Sequence, residues 1–339
     1  DHRDLHSFPT RRSSDLVYVW NPVIAVIVVA VTALTSKTIY GLEMRRRAAA
    51  RLGQYDIDRR IGAGSMGEVY LATHALLQRS TAVKLLHEGA AAETRERFRM
   101  EVQTASTLSH PNTVEIYDYG RTPEGLFYFA MEYVKGATLE QLVELTGPLP
   151  ADRVIYLLEQ ACGSLREAHD KGLVHRDIKP SNLMVCVRGG LHDMVKVLDF
   201  GLVHRFEDES GETGIAGTPL YLAPAVILQS DAYGPPSDVY ALGAPAFYLL
   251  TGRPPFIGPS VVDVLSDHIA TPPPELDTDN KALADLVLRC LAKEPSERPQ
   301  DAADVQDALR DCVSDEGWRQ REARVWWKEH LPFFDASVE

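Results

Sequence analysis

The hydrophobic period of this chain changes once, near residues 132–136. Before that point apolar residues alternate with polar ones or run in short stretches, over 55–61, 68–73, 81–86, 114–119 and 126–133, with Gly-rich or polar turns between them. These are strand signatures. One amphipathic helical stretch, about 93–108, interrupts them. Beyond Gly136 the spacing becomes helical, over 139–145, 151–171, 237–251 and several segments up to Asp311. No internal repeat with a period of about 20–50 residues is visible. The pattern predicts a small β-rich lobe followed by a larger helical lobe, with a hinge where the period switches.

The 339 residues suffice for one two-lobed domain with chain left over, and 45% hydrophobic with 24% charged residues is ordinary for a chain with a core. Wholesale disorder, collagen and a disulfide mini-protein are excluded. A net charge of −13 argues against a general nucleic-acid binder, which needs a basic face, so no nucleic-acid partner is expected. The charge is uneven: residues 1–51 hold eight basic and four acidic residues, leaving 27 basic and 44 acidic in the body. Cys162, Cys186, Cys290 and Cys312 lie far apart without a CxxC pair and read as reduced thiols.

Residues 1–16, DHRDLHSFPTRRSSDL, follow neither period and resemble translated sequencing-adapter read-through. They are read as a non-native leader and set aside from the fold, and the natural N-terminus is expected to be missing. Residues 16–34 carry no charge over nineteen positions, about the length a helix needs to cross some 30 Å of hydrocarbon. A transmembrane helix is expected over 17–35, against the bland reading of a buried core helix or an uncleaved signal-like segment. A basic juxtamembrane linker follows over 36–54. Lys37, Arg45, Arg46, Arg47 and Arg51 place the body on the cytoplasmic side of an inner, cytoplasmic membrane with a single visible span.

Four motifs carry chemistry. GAGSMGEV, from Gly62 to Val69, exposes backbone N–H groups and lets them approach phosphates closely. Alone it also fits a dinucleotide fold or a plain glycine turn, but it runs into EVYLAT, a strand, where a dinucleotide fingerprint opens a helix. AVKLL puts Lys84 on the next strand, with Glu101 on the helical stretch as the candidate carboxylate to hold it. In HRDIKPSN, Asp177 can orient a hydroxyl, Lys179 can neutralise a phosphoryl group and Asn182 can bind a metal. VLDFG ends a strand with Asp199, a second metal ligand, and Asp199 with Asn182 suffices for Mg²⁺, which takes its remaining oxygens from phosphate and water. Each piece alone has a bland alternative as a solvated charge or a turn. All four in this order do not.

On these motifs, residues 55–311 resemble a eukaryotic-type (Hanks-type) protein kinase, most closely the bacterial serine/threonine kinases tethered by a transmembrane helix. The resemblance implies an α+β, bilobal protein kinase fold preceded by that helix. A small β-rich N-lobe with one regulatory helix would span 55–133 and a mainly helical C-lobe 137–311. It implies phosphoryl transfer from ATP with Mg²⁺ (or Mn²⁺) to Ser/Thr hydroxyls of proteins, the kinase's own activation loop included. Gly62, Gly64 and Gly67 would cover the phosphates. Lys84 would hold them, fixed by Glu101. Asp177 and Lys179 would serve the transfer, and Asn182 and Asp199 the metal. Ile61, Val69, Ala82, Met184 and the linker Glu132 to Val134 would line the adenine pocket, with Met131 as gatekeeper. Lys179 in this motif is the form typical of serine/threonine specificity.

The resemblance also implies regulation. Arg176 would pair with a phosphate on the activation loop 202–222, where Ser210 and Thr213 are candidate phosphosites and Thr213 is preferred. Thr218 resembles the substrate-pocket threonine, and Asp238 the residue that holds the catalytic-loop backbone. A homodimer for trans-autophosphorylation is a family-level expectation.

Two positions depart from the family pattern. Ala225 stands where Glu normally pairs with the Arg at 298, so Arg298 is expected to lack its buried partner, at a cost of about 3–5 kcal/mol. Pro245 falls inside an expected buried helix, where Pro costs roughly 3 kcal/mol. They raise an alternative, a nucleotide-binding but weakly active scaffold acting through partners. A small-molecule kinase is a third reading, opposed by the intact GTPLYLAP segment. The Trp-rich tail, 312–339, holds Trp318, Trp326 and Trp327 and reads as an amphipathic helix packed on the lobe or a contact surface for a partner or membrane.

Overall fold

The alternating segments form strands and the helically spaced ones form helices, on either side of the expected switch. The structure, a computed structural model, describes residues 51–64, 67–86, 99–100, 102–122, 125–200, 219–229, 232–314 and 317–336. The leader, the expected span over 17–35 and most of the 36–54 linker lie outside these residues. No helix among the described residues is long and apolar enough to cross a membrane. The described residues fall into two units, 51–58 with 73–79, and 59–72 with those from 80 onwards.

In the first unit, β1 (Arg51–Leu52) turns through Gly53 and pairs antiparallel with the start of β2 (Tyr55–Gly64), Leu52 opposite Tyr55. The Tyr55 ring is buried edge-on to His74, 5.3 Å between centroids.

In the second unit, β2, β3 (Gly67–His74), β4 (Ser80–Leu86), β6 (Phe127–Glu132) and β5 (Ile116–Arg121) are hydrogen-bonded in that order. All six residues of β6 are buried, which is why its sequence is an apolar run rather than an alternation. The β4–β6 register sets Lys84 opposite Phe129 and Ala82 opposite Met131. Gly67 is required sterically, because a Cβ there would fall 2.1 Å from the Leu85 carbonyl oxygen. A short helical run at 102–105 places Val102 in the same apolar cluster as Ala82, Phe129 and Met131.

A second sheet holds β7 (Gly136–Thr138), β8 (Leu183–Arg188) and β9 (Leu191–Val197), antiparallel in that order. The helices are α1 (Leu139–Thr146), α2 (Ala151–Asp170), α3 (Pro224–Leu228), α4 (Pro235–Thr251), α5 (Val261–Ala270), α6 (Lys281–Cys290), α7 (Ala302–Asp311) and α8 (Gln320–Ala336). Thr138 and Gln141 form a reciprocal capping box that starts α1 directly after β7. Leu142, Leu157, Leu165, Phe247 and Leu283 interlock these helices in one core.

The two departures from the family pattern fall where the sequence puts them. Among the described residues Arg298 has no carboxylate partner, but its guanidinium donors are met. It donates to the carbonyls of Ala292 (2.7 Å), Pro236 (2.9 Å) and Lys293 (2.7 Å) and lies 4.8 Å from the Tyr240 ring. Backbone carbonyls thus satisfy its donors in place of the missing Glu, while burial still pushes the guanidinium's pKa down. Pro245 lies inside α4, as expected, and the helix runs through it from Pro235 to Thr251. All four cysteines are free and buried.

Candidate active site

The loop His175 to Asn182 is built from below by one carboxylate. Asp238, in the first turn of α4 and 1% exposed, accepts the backbone N–H of His175 at 2.7 Å and of Arg176 at 2.9 Å. The imidazole Nε2 of His169 adds a third contact at 2.9 Å. Held this way, Arg176 adopts φ 69°, a left-handed conformation that costs a non-glycine residue about 1–3 kcal/mol. Its guanidinium lies 5.6 Å from the Tyr233 ring.

His175 joins this loop to the end of β9. Its Nε2 lies 2.8 Å from the Leu198 carbonyl, and its ring packs 4.7 Å from that of Phe200. The Leu198 N–H donates to the Asn182 carbonyl at 2.9 Å, so Asn182 and Asp199 are brought together by backbone pairing. Asp199 is itself left-handed, φ 54°. Two strained residues sit on adjoining loops, as they do where surrounding structure over-determines a functional geometry.

The side chains then converge. Asn182 Nδ2 donates to the Asp177 carboxylate at 2.9 Å and to its carbonyl at 2.8 Å, while Lys179 Nζ lies 2.7 Å from the same carboxylate oxygen. From the first sheet Lys84, 8% exposed, reaches Asp199 Oδ2 at 2.8 Å. The other oxygen, Asp199 Oδ1, is buried and has no hydrogen-bond partner among the described residues. A narrow cleft beside it is lined by Thr113, Val114, Phe129, Met131, Asp199 and Phe200.

The expected adenine-pocket residues gather too. Ala82, Met131 and Val134 belong to one buried apolar cluster, against which Val69 and Met184 pack. Ile61 is exposed on β2, and Gly62 lies against Val69, where an added Cβ would sit 3.7 Å from the Val69 Cβ. Gly64 ends β2 and Gly67 starts β3. Glu132 ends β6, but its carboxylate is taken by Lys196 at 2.8 Å and by Arg188, so only its backbone faces other uses. Glu101, Ser210, Thr213 and Thr218 lie outside the described residues.

Sequence reasoning missed Lys196, Arg188 and His169. A buried Lys on a β-strand carries no motif, and its role is set by a partner 64 residues away. Burial, with Arg188 nearby, lowers the Lys196 ammonium to about 8.

A protein kinase domain model matches residues 55–311, and the chain belongs to the protein kinase family. Its relatives include bacterial serine/threonine kinases. The chain is 39% identical over 268 residues to the serine/threonine-protein kinase PknB of Mycobacterium leprae, covering 76% of this chain and 42% of that protein. It is 36% identical over 266 residues to the serine/threonine-protein kinase PrkC of Bacillus subtilis, covering 76% and 40%. It thus spans about two fifths of the length of these relatives. The crystal structure of the Mycobacterium tuberculosis PknI kinase domain matches with a TM-score of 0.61 and 29% identity, over 78% of this chain and 97% of that one. The fold is therefore the bilobal protein kinase fold, a β-rich N-lobe and a helical C-lobe, of the bacterial Hanks-type serine/threonine class.

Proposed function

We propose that this chain is an ATP-dependent serine/threonine protein kinase that phosphorylates protein hydroxyls, its own activation loop among them. The observation that carries the reading is a pair of side-chain clusters, Lys84 on Asp199 and Lys179 with Asn182 on Asp177, joined by the backbone pair Leu198–Asn182. The reaction transfers the γ-phosphoryl group of ATP to a Ser or Thr oxygen, releases ADP and moves the hydroxyl proton to Asp177 and then to water.

Asp177 is the acceptor for that proton, oriented by the Asn182 amide. Lys179, already on the Asp177 carboxylate, is placed to meet negative charge developing on the transferred group. Lys84 supplies a cation to the α- and β-phosphates. Among the described residues no group of three or more His, Cys, Asp or Glu stands together. Asp199 with its orphaned Oδ1, and Asn182, fit a cation that keeps water and phosphate oxygens, as Mg²⁺ does. When bound, that ion neutralises charge on the phosphates. Ile61, Val69, Ala82, Met131, Val134 and Met184 form the apolar slot for the adenine, and Gly62, Gly64 and Gly67 the phosphate cover.

The same reading places the chain at the cytoplasmic membrane through a helix over 17–35, with the kinase domain in the cytoplasm. The nineteen uncharged residues and the basic flank support it. Arg176 with Ser210 and Thr213 forms the phosphate switch, Thr218 serves the substrate pocket, and a homodimer allows transfer in trans. Glu101 pairs with Lys84 when the nucleotide is held.

The test is incubation of the full chain with labelled Mg·ATP and a panel of Ser/Thr peptides beside aminoglycoside and choline acceptors. Label on peptide serine or threonine is expected. Label on the small molecules alone contradicts the protein-kinase reading.

A further inference from the structure

Beyond the family match at residue 311, the tail is built into the lobe by a buried cluster. Asp193, fully buried and left-handed at φ 53°, takes four donors. Arg153 binds it through Nε at 2.9 Å and Nη2 at 2.8 Å, and the indole N–H groups of Trp318 and Trp327 donate to it at 2.9 and 2.7 Å. The Arg153 guanidinium lies 4.0 Å from the Trp326 ring and 4.9 Å from that of Trp318. Next to it Gln320 grips the backbone of His192 both ways, accepting its N–H at 2.8 Å and donating to its carbonyl at 2.8 Å, and also reaches the Tyr156 hydroxyl at 2.7 Å. A buried ion pair needs its remaining lone pairs satisfied, and here the tail satisfies them.

The hairpin that the tail grips is the one that touches the linker. Residues 192 and 193 open β9, where Leu191 pairs with Arg188 across the turn. A bulge between Cys186 and Arg188 re-aims the end of β8, and Arg188 pairs with Glu132. Further along β9, Lys196 bridges Glu132 at 2.8 Å and the Thr113 carbonyl at 3.1 Å. A continuous set of contacts thus runs from Trp318, Gln320 and Trp327, through the β8–β9 turn, to the linker residue Glu132.

We propose that residues 318–327 are an intramolecular positioning element for the nucleotide linker. Docked on Asp193 and His192, the tail holds the β8–β9 hairpin, and the hairpin holds Glu132. The inference rests on the reading of Glu132 to Val134 as the adenine linker. Its consequence is reciprocal: whatever tail docking adds to nucleotide affinity, nucleotide adds to tail docking. Trp318, Gln320 and Trp327 are positioning residues, since the contacts just described are made to Asp193, His192 and Tyr156 and not to the site residues.

The experiment measures Mg·ADP binding to the full chain by calorimetry, with melting temperature beside it. Trp318→Phe/Trp327→Phe removes both indole donors and keeps the aromatic surface, Gln320→Ala removes the backbone grip, and Leu283→Ala serves as a core control remote from the hairpin. Tail variants are expected to weaken Mg·ADP about fivefold or more, while Leu283→Ala lowers the melting temperature and leaves affinity unchanged. In the parent, Mg·ADP is expected to slow hydrogen exchange over 318–330, a reading that needs no variant to fold. Unchanged affinity in folded tail variants, or unchanged exchange in a parent that binds Mg·ADP, overturns the inference. A parent that binds no Mg·ADP removes the linker reading and this inference with it.

Discussion

Lys84 and Asp199 stand 115 residues apart in sequence and 2.8 Å apart in space, the ammonium of one on the carboxylate of the other. The cation proposed for the phosphates thus rests on the ligand proposed for the metal, with Asp199 Oδ1 unpartnered among the described residues. Each keeps the other's charge compensated in a partly buried site. Lys84→Met and Asp199→Asn are each expected to lower kcat by roughly 10²–10³-fold, the order seen when one pre-organised electrostatic group is removed. The double variant should fall little below the worse single one, because the two act as a unit. Initial rates of peptide phosphorylation check this. Losses that multiply in the double variant would mean that the pair works independently.

Asp238 is expected to be worth more than its one side chain suggests. Asp238→Ala strands the N–H groups of His175 and Arg176 and the contact with His169. Charged hydrogen bonds of this kind contribute about 1.5–3 kcal/mol each, so a loss of about 3 kcal/mol or more is expected in urea unfolding. Asp238→Asn keeps acceptors without the charge and should lie between. A neutral effect of Asp238→Ala contradicts the view that this carboxylate builds the loop.

Stability should fall with acid in two separate windows. His268 is buried with its Nδ1 2.8 Å from the Tyr240 hydroxyl, and burial, aided by Lys293, lowers it from 6.5 to about 4. Between those values the unfolded chain takes up a proton that the folded chain does not, so stability drops as pH falls from 6.5 to 4. Glu167 lies lower. Burial raises it, but Lys171 and the N–H groups of Ser109 and His110 outweigh this and bring it from 4.5 to about 2. Its contribution is therefore present above 4.5 and lost as pH falls towards 2. In urea unfolding against pH, His268→Asn should flatten the first window by about one proton and Glu167→Gln the second. An unchanged slope in either variant rejects the corresponding assignment.

Much of this was legible in the sequence for local reasons. β6 and α2 follow from an apolar run and a long helical period, and the structure sets their bounds within a residue or so, Phe127–Glu132 and Ala151–Asp170. The motif residues Asp177, Lys179, Asn182 and Asp199 converge because HRDIKPSN and VLDFG flank one hairpin, β8–β9. What sequence could not supply depends on partners distant along the chain. The absence of the family's Glu predicts an Arg298 without its partner, and the sequence gives no sign that three carbonyls from two segments serve it. The tail helix was legible, but not that both indoles would meet on Asp193, because a lone Asp at a strand start carries no pattern.

The most direct test of the account is single-turnover autophosphorylation of the full chain with labelled Mg·ATP, beside Asp177→Asn. The account predicts label on serine or threonine in the parent, and a large loss in a variant that stays folded and still binds Mg·ADP. Equal labelling in parent and variant, or no labelling in a parent that binds nucleotide, contradicts it.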